Sequence, residues 1–171
     1  MEENETAELW SVLSPQEREN YLVFHRTAYL DDLKHAEKVA LKFPRWSIIS
    51  GYYAMHDVTK LFLAKKFAIK VSTPKIHEKT IEVLKEKIQD AQTKERLLKL
   101  LREAKEVYFN VERLKEKVLP ELLRQGKQQR GQTQYYTEDY SEGRTVDAQK
   151  AMYFLETFVK PYVKMIEELS N

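Results

Sequence analysis

Histidine is the side chain best suited to proton transfer near neutral pH, because its ordinary pKa lies close to that range. The chain has 4 histidines, at positions 25, 35, 56 and 77, and no cysteine. The lack of cysteine excludes disulfides, thiolate metal sites and thiol nucleophiles, and it is compatible with a reducing compartment. Candidate chemistry therefore centres on the histidines and on the charged side chains near them.

His77 is the histidine best placed to meet a ligand. It follows a connector at residues 65–75 that contains four lysines, and Ser72, Thr73 and Pro74 in this connector are typical of a helix start. A histidine in the first turn of that helix is expected at the surface, where it can contact a ligand. A solvated surface histidine without a role is the alternative.

Two further histidines lie beside aspartates. Asp31, Asp32 and His35 fall within one predicted helical turn, a spacing at which a carboxylate and an imidazole can share a metal ion. No additional ligand can be identified elsewhere in the sequence, so we predict no metal site and no cofactor. His56 and Asp57 fall in the most apolar helix, where we expect a partly buried histidine that is satisfied by a neighbouring polar group.

A third candidate region combines cations with tyrosines. Between residues 113 and 130 lysine and arginine outnumber glutamate, and tyrosines follow at positions 135, 136 and 140. Such cations bind phosphates and tyrosine rings stack on bases, so we predict a ligand site formed by Arg124, Lys127, Arg130, Tyr135 and Tyr136. A solvated helix end and loop is the alternative, and acidic residues at positions 138, 139 and 142 favour it.

Composition limits the class of protein. A chain of 171 residues with 42% hydrophobic content is long enough for one domain with a core. Only 4 glycines and 5 prolines, against 33% charged residues, favour an all-α fold over a sheet. A net charge of +2 is too small to indicate nucleic-acid binding by itself. The most apolar stretch, residues 46–64, contains polar and charged residues, and four of the first eight residues are acidic, so we expect a cytoplasmic protein without membrane contact.

The elements that must position the candidate residues are helices. Ser14, Pro15 and Glu17 have the form of a capping box, which starts a first helix that runs to Phe43. Apolar residues at three- and four-residue spacing predict four more helices, at about 45–66, 74–90, 93–125 and 145–169. Pro120 is expected to bend or end the fourth helix, and Pro161 to kink the fifth.

These helices predict an up-and-down bundle of about five helices in a single domain at residues 14–171. Residues 1–13 are expected to form a mobile acidic tail. Apolar periodicity disappears at about 126–144, which predicts a long loop before the last helix.

The residues at 50–55, Ser-Gly-Tyr-Tyr-Ala-Met, carry a family resemblance. The chain resembles the HEPN domain, a small helical module of higher eukaryotes and prokaryotes associated with nucleotide binding, over about residues 21–169. The family typically has a serine, a small residue and Tyr-Tyr-Ala here, then a basic turn and a threonine-histidine, similar to Thr73 and His77. Arg130 and Tyr135 follow, and then a last helix similar to residues 155–159.

The resemblance implies homodimers, and in some members a small nucleotidyltransferase partner in a toxin-antitoxin pair. Nuclease members carry an arginine and, after four to six residues, a histidine near the last helix. Here no histidine follows Arg130, and Tyr135 at the matching spacing is a poor base near neutral pH. Arg18 and His25 have six residues between them but lie on the first helix, so we do not expect them to form the pair.

Three hypotheses follow. The leading one is a HEPN-like nucleotide- or RNA-associated binding or scaffold protein that is not catalytic. The second is a metal-independent endoribonuclease in which Arg130, Tyr135 or His77 replaces the missing group. The third is a purely structural helical interaction subunit.

Overall fold

A computed structural model describes residues 8–128 and 146–171, with side chains described for residues 8–112 and 146–171. The fold is an all-α helical bundle, as predicted from composition and periodicity. The five helices in the described residues are α1 (Pro15–Val39), α2 (Pro44–Phe67), α3 (Ile76–Lys87), α4 (Ala91–Gln128) and α5, which consists of the consecutive segments Ala148–Phe154, Leu155–Val159 and Lys160–Ser170. Within the described residues, no helix is both long enough and apolar enough to cross a membrane.

The capping box at the start of α1 is confirmed. The Ser14 hydroxyl accepts from the Glu17 amide, and the Glu17 carboxylate accepts from the Ser14 amide. These two bonds satisfy backbone donors that have no partner inside the helix, so the helix begins at Pro15. The helix ends at Val39, earlier than predicted, and a short turn leads to α2.

Helix α2 is the central helix, because most of its residues are buried. Gly51 permits close packing against α5: a Cβ at this position would lie 3.0 Å from Leu155 Cδ2 and 3.0 Å from Val159 Cγ2. The paired tyrosines differ in environment. Tyr52 is fully buried, whereas Tyr53 keeps 43% of its surface exposed. Only the first tyrosine therefore belongs to the core.

Two short strands were not predicted. Strand β1 (Trp10–Val12) pairs antiparallel with β2 (Ile69–Val71), and Trp10 lies opposite Val71. Part of the predicted acidic tail is therefore a strand, while residues 1–7 lie outside the described residues. Ala68 ends α2 in the left-handed region at φ 53, which turns the chain directly into β2.

Pro120 in α4 and Pro161 in α5 have different effects on their helices. Helix α4 continues through Pro120 to Gln128, so this proline does not end it. Before Pro161, residues Leu155–Val159 are π-helical, and the Lys160 amide donates to the Leu155 carbonyl. A proline has no N–H to donate to the carbonyl four residues earlier, and its ring crowds that carbonyl. The wider turn of a π-helix accommodates both effects.

Candidate functional site

Two histidines that are distant in sequence meet between α2 and α3. His56 lies one turn after Tyr52 on the buried side of α2, and His77 lies in the first turn of α3. The His77 Nδ1 atom is 3.0 Å from His56 Nε2 and 3.1 Å from the Tyr52 hydroxyl oxygen. This group of three side chains is called the His–Tyr cluster below.

Burial controls the charge of the His–Tyr cluster. It lowers the pKa of His56 well below the usual value, and nearby cationic groups lower it further. Burial also lowers the pKa of His77, although the Glu78 carboxylate acts in the opposite direction. For Tyr52, burial is the main cause of a raised pKa. All three side chains are therefore neutral at neutral pH.

Aromatic rings from α4 cover the cluster. The Tyr108 ring stacks on Tyr52 at a centroid distance of 4.3 Å, and its hydroxyl lies 3.2 Å from the Tyr53 hydroxyl. The Phe109 ring meets His77 edge to face at 5.7 Å. These contacts keep His77 half-buried and fix the orientation of its ring.

A cavity of about 600 Å³ lies between α3 and α4 beside His77 and is called the α3–α4 groove. Its lining residues are Glu78, Ile81, Glu82, Arg102, Lys105, Glu106, Phe109 and Asn110. The Lys105 ammonium is 3.3 Å from the Glu78 carboxylate and 5.8 Å from the centroid of the Phe109 ring. The groove thus combines an aromatic face with both cations and carboxylates.

The other two histidines, His25 and His35, form polar contacts between α1 and α2. His25 Nδ1 is 2.7 Å from the Asp57 carboxylate, and His35 Nδ1 is 2.7 Å from the Ser50 hydroxyl. Neither His56 nor His35 is bonded to the aspartate beside it in sequence: Asp57 contacts His25 and not His56, and His35 contacts Ser50 and not Asp32. Burial raises the pKa of Asp32 to about 6, and the nearby Asp57 charge contributes to this rise.

Arg18 does not form a pair with His25. Its guanidinium donates to the carbonyl oxygens of Ala64 and Lys65, at 2.9 and 2.7 Å, and so satisfies the C-terminal end of α2. The expectation that these residues are not a catalytic pair agrees with this geometry. Among the side chains that the structure describes, in residues 8–112 and 146–171, no group of three histidine, aspartate or glutamate side chains is arranged to hold a metal ion.

The predicted ligand residues are not among the described side chains. Arg124 and Lys127 lie in the last turns of α4, where only the backbone is described, and Arg130, Tyr135 and Tyr136 fall outside the described residues. The predicted loop at 126–144 begins within α4, which continues to Gln128, and the rest of it also falls outside them.

Of the predicted candidates, His77 alone is placed in a described site. Sequence reasoning missed its partners Tyr52 and His56, and the groove residues Lys105 and Phe109. The four-residue spacing of Tyr52 and His56 was a signal for a shared face, but nothing local indicated that α3 brings His77 to them.

Comparison with protein-family models, with curated proteins and with solved structures gave no match for this chain.

Proposed function

We propose that this protein is a nucleotide- or RNA-associated binding protein, HEPN-like and non-catalytic, and that it binds its ligand in the α3–α4 groove beside His77. The observation that carries the proposal is that an aromatic ring and two cations line one cavity, and that His77 contacts this aromatic ring, Phe109. A volume of about 600 Å³ is in the usual range for small-ligand sites.

The lining residues fit the parts of a nucleotide. The Phe109 ring offers a stacking surface for a base, and Arg102 and Lys105 offer donors for phosphate oxygens. The Glu78 and Glu106 carboxylates accept hydrogen bonds, as ribose hydroxyls and base amino groups require. Because carboxylates also repel a polyanion, the groove favours one or a few nucleotides over a duplex.

A binding experiment tests this proposal. Isothermal titration with adenosine monophosphate and with a short single-stranded RNA should show saturable binding to the full chain. Phe109→Ala should weaken it about tenfold, since base stacking contributes about 1–3 kcal/mol. Lys105→Gln should weaken it and reduce its salt dependence. The matched control is Lys164→Gln, which removes an exposed lysine on α5 and should change nothing.

Incubation of the protein with mixed RNA in EDTA distinguishes the endoribonuclease hypothesis from the proposed binding function. Cleavage that disappears in Arg130→Ala or His77→Ala would favour the enzyme and contradict the non-catalytic proposal. Intact RNA at high protein concentration would exclude metal-independent cleavage of these substrates.

We also propose a homodimer, with a small nucleotidyltransferase as a candidate second partner. The support for self-association is an exposed apolar face on α1, where Val23, Phe24 and Leu30 keep 61%, 66% and 48% of their surfaces exposed. Light scattering at micromolar concentration should give twice the chain mass, and Phe24→Glu should give the monomer mass. A neighbouring gene for a nucleotidyltransferase would support the second partner.

A further inference from the structure

The Nδ1 atom of His77 has more partners than it can serve independently. A neutral imidazole carries a hydrogen on one nitrogen and a lone pair on the other. His77 Nδ1 faces both His56 Nε2, at 3.0 Å, and the Tyr52 hydroxyl, at 3.1 Å. The position of the hydrogen therefore decides which of the three groups donate and which accept.

One arrangement places the hydrogen on His77 Nδ1. His56 Nε2 must then accept it, so the hydrogen of His56 moves to its other nitrogen, Nδ1. That atom is buried and has no hydrogen-bond partner among the described residues, which would leave a buried N–H without an acceptor. The Tyr52 hydroxyl would also lose the acceptor for its hydrogen, since its hydrogen bonding within the described part of the chain is to His77. This arrangement leaves two donors unsatisfied.

The other arrangement places the hydrogen on His77 Nε2. The single lone pair of Nδ1 then accepts from His56 Nε2 and from the Tyr52 hydroxyl in one shared, three-centre hydrogen bond. The atom left without a partner is His56 Nδ1, now a lone pair and not a hydrogen. An unsatisfied acceptor occurs more readily in protein interiors than an unsatisfied N–H, so this arrangement is favoured.

We propose that His56 and Tyr52 hold His77 as the neutral tautomer with its hydrogen on Nε2, and that this N–H donates to a phosphate oxygen of the ligand. The ligand part rests on the proposed function, whereas the tautomer does not. The second nitrogen is available for this contact, because Nε2 forms no hydrogen bond within residues 8–112 and 146–171. His77 is then a neutral hydrogen-bond donor and not a general base.

The surroundings favour the neutral form of this donor, because burial lowers the pKa of His77. The titratable and charged groups that face His77 come from α2, α3 and α4, and they are Tyr52, His56, Lys60, Glu78, Lys105 and Tyr108. Burial and the two lysines oppose a proton on His77, and Glu78 favours it. His77 and Lys105 both contact the Phe109 ring, at 5.7 and 5.8 Å from its centroid, so a cation that lines the α3–α4 groove lies near His77.

The tautomer is tested without any ligand. Nitrogen-15 chemical shifts of the His77 ring at pH 7 should show a protonated Nε2 and an unprotonated Nδ1, assigned by comparison with His77→Gln. Tyr52→Phe removes one of the two donors to Nδ1 and should shift the Nδ1 resonance. A protonated Nδ1, or two protonated nitrogens at pH 7, would overturn the proposal.

The ligand contact is tested with inorganic phosphate, adenosine monophosphate and a short single-stranded RNA. His77→Ala should weaken binding about tenfold, the usual effect of one hydrogen bond to a charged group. His77→Gln keeps a neutral N–H donor and should restore binding to within about threefold of the original. His35→Ala, which alters the histidine bonded to Ser50, is the matched control and should leave affinity unchanged.

The pattern across the probes identifies the source of the phosphate. Binding of all three would indicate a phosphate-group site, and binding of the RNA alone would indicate an internucleotide phosphate. Equal affinity of His77→Ala and the original protein would overturn the ligand contact. Absence of binding by all three probes, with the expected nitrogen shifts, would overturn the proposed function and the phosphate contact but leave the tautomer intact.

Discussion

The close contact of Gly51 with α5 predicts the effect of a single methyl group. Gly51→Ala would place a Cβ 3.0 Å from both Leu155 Cδ2 and Val159 Cγ2, and 3.3 Å from Phe154 Cε1. Two effects oppose each other. Alanine is a better helix former than glycine by about 1 kcal/mol, while an added methyl in a filled core costs about 1–3 kcal/mol. Because Val159 is fully buried and Leu155 keeps only 3% of its surface, neither side chain has free space to move into. We expect the free energy of unfolding to fall by about 1 kcal/mol.

Urea denaturation followed by circular dichroism measures this change. The double variant Gly51→Ala, Val159→Ala is the control, since it removes one of the two side-chain atoms that lie 3.0 Å from the new Cβ, while Leu155 Cδ2 stays. The clash should be reduced in this background, so the same glycine substitution should destabilise less relative to Val159→Ala alone. A single variant Gly51→Ala that is more stable than the original protein would refute the close approach of α2 and α5.

Three further substitutions test the polar contacts. Asp32 has a pKa of about 6 in the fold, above its unfolded value of about 3.9, so ionisation removes stability as pH rises through this window. Asp32→Asn should therefore raise the free energy of unfolding at pH 7 by about 1 kcal/mol, after allowance for solvent screening of a partly exposed group. The same substitution should have no effect at pH 3.5. Equal effects in urea denaturation at both pH values would contradict this reasoning. Arg18→Ala should lower the free energy of unfolding by about 2 kcal/mol, because it removes two hydrogen bonds to the end of α2. Arg26 is exposed on the same helix, and Arg26→Ala should change the free energy of unfolding very little in the same assay. Tyr162→Phe should lower thermal stability by about 1 kcal/mol, because its buried hydroxyl lies 2.6 Å from Thr59 Oγ1, and an unchanged melting temperature would show that this bond contributes nothing net.

Local sequence signals predicted the parts of the fold that depend on neighbouring residues. The capping box at Ser14 and Glu17 defines the start of α1 because both of its bonds are made within four residues. The apolar spacing along the last part of α5 predicts a helix because burial repeats with the helical period, and the nearly continuous apolar residues of α2 predict a helix buried on most sides.

Contacts between distant residues could not be predicted in this way. Strand β1 pairs with β2 across two complete helices, and three residues in each strand are too few for a recognisable alternation. The approach of His77 to His56 depends on how α3 is turned against α2, which no local pattern specifies. The end of α4 was predicted at about residue 125, with Pro120 bending or ending the helix, and α4 in fact continues to Gln128, because proline is unfavourable in a helix interior but does not always end the helix.

The pairing of β1 with β2 makes the α1–α2 hairpin a closed loop, because the chain before α1 is bonded to the chain after α2. The turn between the helices contains the exposed Leu41 and Phe43, with 72% and 59% of their surfaces accessible. A protease cut in this turn would leave two pieces joined by the strand pair as well as by helix packing. The protein should therefore behave as a complex of two fragments after such a cut, with α2 and the His–Tyr cluster still in place.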